Sequence, residues 1–204
     1  IELESIKYPE PIQLNKQLHG ITEVWTQFVR DYVDVLEDRK LYNKKPFKSV
    51  VIDTGTQFRA MCNDAYLQSL QEEGAATGKT RERLQEIEYG TPNMRIKSLL
   101  WGARQYGKFL AVTHYDVDEY KKQLINGKIE SATTGRRVLG GYKDTVGMAD
   151  LVLYCYRKIV DGSVQMWGKV VKSGVDIGLQ ELEMQDPTVE KIVDFIKMLR
   201  GEDG

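Results

Sequence analysis

The sequence predicts an α/β fold: a mainly parallel sheet flanked by helices, with an antiparallel hairpin toward the C-terminus. Three observations carry this. Val50-Val51-Ile52 is a short, β-branched run that ends in Asp53, the pattern of a strand covered on both faces. Lys108-Phe109-Leu110-Ala111-Val112-Thr113-His114 is a second such run, and the helical spacing between the two supplies the crossover that parallel neighbours need. Asp161-Gly162 stands between two β-rich stretches, a strong hairpin signal.

Taken in order, Ile1, Leu3 and Ser5 alternate with acids and meet Pro9 and Pro11, which reads as a strand remnant followed by an extended connector. From Asn15 to Leu41 the apolar residues Leu18, Ile21, Trp25, Phe28, Val29, Tyr32, Val33 and Leu36 recur at steps of three and four, an amphipathic helix. A polar turn with Pro46 leads into the Val50–Asp53 strand. Phe58 to Glu73 is helical again, through Phe58, Met61, Cys62, Ala65 and Leu70. A further helical region spans 81–106, with a break at Gly90–Asn93 and an end at Gly107. After the Lys108–His114 strand, Tyr115 to Thr145 is the least regular long segment, and it reads as a functional loop. Met148–Tyr156 and Val164–Lys172 are the hairpin strands. The closing helix has Asp186 as its cap, Pro187 as its first residue, and Val189, Ile192, Val193, Phe195, Ile196 and Leu199 on its buried side.

With 204 residues, 41% of them apolar, and 29 basic against 30 acidic residues, the chain holds enough apolar surface for one well-cored domain. No window approaches about 18 uninterrupted apolar residues, so no membrane span is expected, and without a secretory leader the expected compartment is the cytoplasm. Cys62 and Cys155 read as two buried free thiols. Together with His19 and His114 they match no familiar zinc spacing.

An Asp at the carboxyl end of a buried parallel strand emerges where α/β sheets bind ligands. Asp53 is therefore the leading candidate site residue, and Thr113 and His114 are expected to emerge beside it. Gly74 to Thr80 imitates a phosphate-binding loop, but Glu73 stands where the first glycine belongs and a helix precedes it, so it reads as a surface loop. Lys121, Lys122, Lys128, Arg136, Arg137 and Lys143 give the Tyr115–Thr145 segment an expected excess of positive charge.

In their order, Val50-Val51-Ile52-Asp53-Thr54, Leu110–His114, Thr134–Lys143, Ala149–Leu153 and Asp186-Pro187-Thr188 resemble the phage AAA-type, RecA-like ATPases, which include Sak-type single-strand annealing proteins. The resemblance covers about residue 47 onward. It implies a RecA-like P-loop NTPase core that binds ATP and Mg²⁺ and acts on single-stranded DNA in recombination or replication, as a homo-oligomer. Asp53 is then the Walker B acid and metal ligand, Thr54 its neighbour at the nucleotide, and His114 a sensor of the γ-phosphate. Lys169 and Lys172 are then cations offered to a neighbouring subunit's nucleotide, and the six cations named above contact DNA. The resemblance also implies a Walker A segment that residues 1–46 do not supply. The expectation is a single RecA-like domain over 1–204 without its first strand, P-loop and helix, and the start at Ile rather than Met points the same way.

Two other readings stand beside this ATPase. One is a non-catalytic binding or structural protein on the same scaffold. The other is a metal-dependent nuclease built on Asp116, Asp118 and Glu119.

Overall fold

A computed structural model of the chain describes residues 5–8, 13–14, 17–75, 81–125 and 128–201. The chain divides into two compact units, Ile1–Tyr142 and Lys143–Gly204. Ile1–Glu4, Pro9, Pro11 and residues 76–80 of the expected surface loop lie outside the described residues, while Gly74 and Ala75 are helical.

The first unit contains the short antiparallel pair β1 (Gln13–Leu14) and β2 (Gln17–Leu18), then α1 (Ile21–Leu36). A second short pair follows, β3 (Leu41–Tyr42) with β4 (Lys45–Pro46), then β5 (Ser49–Ile52) and α2 (Gly55–Ala75). A 3₁₀ turn at Glu86–Tyr89 leads into α3 (Gly90–Gln105), β6 (Phe109–Val112) and a long hairpin of β7 (Asp116–Ile125) and β8 (Lys128–Leu139).

α1 is shorter than its periodicity suggests, because Gly20 takes a left-handed conformation (φ 77°) and starts the helix there. Gly20 has no side chain to cap the exposed N–H groups, so the buried Gln68 of α2 does so: its Oε1 accepts from Ile21 N (2.8 Å) and Thr22 N (3.2 Å). Trp25 and Phe28 of α1 pack on Phe58 of α2, with ring centroids 5.6 and 5.1 Å apart. Tyr32 donates to Leu99 O at 2.8 Å and ties α1 to α3. The expected break at Gly90–Asn93 is the start of α3, with the buried Pro92 in its first turn, where a missing N–H costs nothing.

β5 and β6 pair in parallel, Ser49 with Phe109 through Ile52 with Val112. It is the one parallel pair among the described residues, and every other pairing is antiparallel. The expectation of a mainly parallel, RecA-like sheet is therefore overturned. The physical reason is connection length. The path from Ile52 to Phe109 holds helices long enough for a crossover and gives the parallel pair, whereas the connectors at 126–127 and at Asp161-Gly162 are too short for anything but antiparallel return. The segment expected to be irregular is the β7–β8 hairpin.

In the second unit, β9 (Leu151–Val160), β10 (Ser163–Ser173) and β11 (Glu183–Gln185) form an antiparallel sheet in the order β11-β10-β9. The Asp161-Gly162 turn has φ 49° and 76°, the doubly left-handed geometry that a two-residue hairpin uses. α4 (Thr145–Met148) precedes the sheet and α5 (Val189–Arg200) follows it. Val170, Leu179 and Ile192 form the core, flanked by Leu151, Leu153, Leu182, Met184, Phe195 and Ile196. The cap of α5 is Thr188, whose Oγ1 accepts from Lys191 N at 3.2 Å; Asp186 and Pro187 lie before it rather than as cap and first residue.

Both cysteines are free. Cys62 is buried, and burial pushes its thiol up to about 12, while Cys155 is exposed, contrary to the expectation of two buried thiols. No helix of the described residues is long and apolar enough to cross a membrane.

Candidate functional site

The register of β5 on β6 brings Asp53 and Thr113 to the same rim. Thr113 Oγ1 donates to Asp53 Oδ1, and the backbone locks alongside, with Thr113 N donating to Ile52 O (3.1 Å) and Gly55 N to Thr113 O (2.7 Å). The Asp53–Thr54 peptide is cis. Asp53 is exposed, and among the described residues no cation pairs with it. Thr54 turns inward to the helix, its Oγ1 accepting from Gln57 N at 3.2 Å.

His114 is held one residue beyond Thr113. Its Nδ1 lies 2.7 Å from Gly140 O, and because a carbonyl only accepts, Nδ1 carries the proton. The other ring nitrogen, Nε2, is buried and has no partner among the described residues. Burial lowers the His114 pKa, the Gly140 hydrogen bond opposing it, so the ring is held toward its neutral form. The ring fits because its neighbours are glycines. A Cβ on Gly55 would stand 2.6 Å from Nε2 and 2.6 Å from Val112 Cγ1, and one on Gly141 would stand 2.9 Å from Nδ1.

Two residues that the sequence reading missed complete this corner. Thr56 Oγ1 donates to Gly140 O (2.8 Å) and accepts from Tyr115 N (3.1 Å), while Arg59 Nη1 donates to Gly141 O. Their one sequence signal is the Gly140-Gly141 pair, which marks a close backbone approach.

The hairpin that starts at this corner carries most of the expected DNA contacts, but several of its cations are engaged. Arg137 donates to both oxygens of Asp116 (2.9 and 3.0 Å) and to Asp118 Oδ1 (2.9 Å), and Lys122 meets Glu86 Oε1 at 2.7 Å. Lys121 lies 3.8 Å from Glu119 Oε1. Arg136 is exposed and has no side-chain ion pair among the described residues. Lys128 is described in its backbone alone. The acids on the hairpin make the excess of positive charge smaller than the cations alone suggest.

Lys143, Lys169 and Lys172 belong to the second unit. Lys143 is exposed, and Lys169 pairs with Glu181. Lys172 Nζ donates to the carbonyls of Val146 (2.9 Å), Gly147 (2.8 Å) and Ala149 (2.8 Å), so all three ammonium hydrogens close the end of α4. No family model, curated protein or solved structure matches this chain.

The chemistry open to these residues follows. Mg²⁺ is commonly held by one or two carboxylates plus substrate phosphates and water, and the exposed, cation-free Asp53 fits that role. Among the described residues no three His, Cys, Asp or Glu side chains converge on a metal position. Asp116 and Asp118 are bound to Arg137 and Glu119 accepts from Thr134 Oγ1 at 2.7 Å, so this acidic cluster braces the hairpin. A triphosphate fits less well. At the start of α2, Gly55 N, Gln57 N and Phe58 N are already bonded to Thr113 O, Thr54 Oγ1 and Thr54 O. The start of α2 thus stands beside an exposed carboxylate, but its Gly55, Gln57 and Phe58 N–H groups are already engaged and do not form a cradle for phosphates.

Proposed function

We propose that this chain binds single-stranded DNA on the β7–β8 hairpin and that Asp53 holds the Mg²⁺ of an ATP bound in the working assembly, in recombination or replication. The observation that carries the reading is spatial: the exposed carboxylate of Asp53 and the root of an exposed hairpin share one short stretch, Asp53 to Arg59. Mg²⁺, when bound, supplies neutralisation of phosphate charge. Asp53 positions it, Thr113 Oγ1 fixes one carboxylate oxygen, and the phosphate donors come from groups other than the N-terminus of α2.

On the hairpin, Tyr120 (62% exposed) and Tyr115 (56%) offer stacking faces, with Lys121 and Arg136 alongside for the backbone. Base stacking on an aromatic side chain contributes about 1–3 kcal/mol per base. Assembly of several copies belongs to this reading, and the exposed Val51 and Phe109 on the parallel pair supply apolar surface for it.

The test uses fluorescein-labelled dT20 and the purified chain. Binding is expected to weaken steeply between low and moderate salt, and Tyr120→Ala is expected to lower affinity roughly tenfold. In the same preparation, Asp53→Ala is expected to abolish Mg²⁺-dependent ATP turnover. Absence of dT20 binding at low salt removes the DNA half, and turnover unchanged by Asp53→Ala removes the metal half. The bonded N-terminus of α2 favours a second reading, a non-catalytic binding protein, which predicts dT20 binding with no turnover at all.

A further inference from the structure

Thr56 stands where the two ends of the β7–β8 hairpin meet the turn that carries Asp53. Its single hydroxyl is bonded in both directions: it accepts from Tyr115 N, just before β7, and donates to Gly140 O, just after β8. Gly140 N in turn donates to Tyr115 O at 2.8 Å, which closes the hairpin at its base. Gly140 O is shared between Thr56 Oγ1 and His114 Nδ1, so both of its lone pairs are used. Arg59, one helical turn beyond Gly55 on α2, fixes the next carbonyl, Gly141 O.

This corner has no slack. Apart from the Gly140–Tyr115 bond that closes the hairpin, each of these hydrogen bonds crosses from the Asp53–Arg59 stretch, or from His114, to the hairpin root. A Cβ on Gly55 or Gly141 would overlap the His114 ring, and one on Gly140 would come within 2.9 Å of Val117 Cγ1. Close-packed contacts of this kind transmit displacement instead of absorbing it. The shaft is different: Tyr120 and Leu124 are 62% and 74% exposed, so a ligand there meets no packed neighbour on its way down to the root.

We propose that Thr56 is a positioning residue that couples the hairpin to the Asp53 turn, so that occupancy of the hairpin by single-stranded DNA reaches the carboxylate. The inference rests on the DNA reading above, and it deepens that reading by naming the link between the two sites. Loss of the hydroxyl leaves Tyr115 N and Gly140 O without their shared partner, while the strands that would touch DNA are unchanged.

Hydrogen–deuterium exchange tests it on the wild-type chain, Thr56→Val, which keeps the shape without the hydroxyl, and Thr56→Ser, which restores it. In the wild type, dT20 is expected to slow exchange in the hairpin and also at residues 53–59. In Thr56→Val, dT20 is expected to bind with an affinity within about twofold and protect the hairpin, but to leave 53–59 unprotected. Thr56→Ser is expected to recover the protection. Protection of 53–59 by dT20 in Thr56→Val overturns the proposal, as does its absence in the wild type when the hairpin itself is protected. If wild type does not bind dT20, the DNA reading falls, and the link is judged without ligand. Thr56→Val must then raise exchange at Tyr115–Asp118 and at Val138–Gly141 together, and an increase confined to 54–58 overturns it.

Discussion

The two long hairpins have nearly the same connection and opposite surroundings. β9–β10 turns through Asp161-Gly162, gains β11 as a third strand, and buries one face under α5, with Val170 fully inaccessible. Among the described residues β7–β8 gains no third strand, and its Val117 and Leu124 stay open, at 39% and 74%. A two-stranded hairpin is marginal in water on its own. What holds β7–β8 is therefore local: the Arg137 links to Asp116 and Asp118 across the strands, and the root gripped by Thr56, His114 and Arg59. One hairpin is part of a core, and the other is a surface held at one end.

The strongest way to break this contrast is to place the same charge on each. Val170→Asp sets an unpaired carboxylate among Leu179 and Ile192 and is expected to cost about 4 kcal/mol or more, read as loss of cooperative unfolding of the β9–β10–α5 unit. Leu124→Asp, on the open hairpin, is expected to stay within about 0.5 kcal/mol by urea denaturation. Equal losses at the two positions would mean that β7–β8 is covered in solution and that its exposure is not the feature that distinguishes it.

The root is the next point to test. Gly55→Ala drives a methyl into the His114 ring and Val112, and an overpacked site of this kind costs roughly 1–3 kcal/mol. Exchange in β7 and β8 is expected to rise with the loss, since their anchor is displaced, while exchange in β9 and β10 stays as in the wild type. A uniform rise over both hairpins would show that the anchor has no special relation to β7–β8.

How much of this was legible in the chain follows from what each segment packs against. β5 and β6 are readable, and so is their parallel pairing, because short β-branched apolar runs mark strands and the helices between them announce a crossover, but the expected cover on both faces is absent among the described residues, with Val51 and Phe109 exposed. The β9–β10 turn is readable from Asp161-Gly162. β7–β8 was not, because a strand with solvent on both faces has no apolar period: Asp116, Asp118, Lys121 and Lys122 read as loop, and Asn126-Gly127 was the sole turn signal. The mainly parallel sheet failed because the long strands on either side of two-residue connections return antiparallel, which apolar runs alone do not reveal. At the site, Asp53 and Thr113 were placed together by strand register alone. Thr56 and Arg59 could not be, because the carbonyls they hold lie 84 and 82 residues away and a hydroxyl or guanidinium on a helix carries no mark of its partner.

The smallest effect expected is a pH dependence confined to the root. Burial lowers the His114 pKa below the ordinary 6.5, with the Gly140 bond partly opposing it. In the window between the folded value and 6.5 the unfolded chain binds more protons than the folded one, so stability is complete above 6.5 and declines as pH falls through that window. Protonation would also turn Nε2 into a buried donor without an acceptor among the described residues. Acidification from pH 7 to 5.5 is therefore expected to speed exchange at Tyr115 and Val138–Gly141 before it affects β9–β10. His114→Asn, whose amide can donate but does not titrate, is expected to flatten that response. An unchanged pH profile in His114→Asn would show that His114 does not set the acid sensitivity of the root.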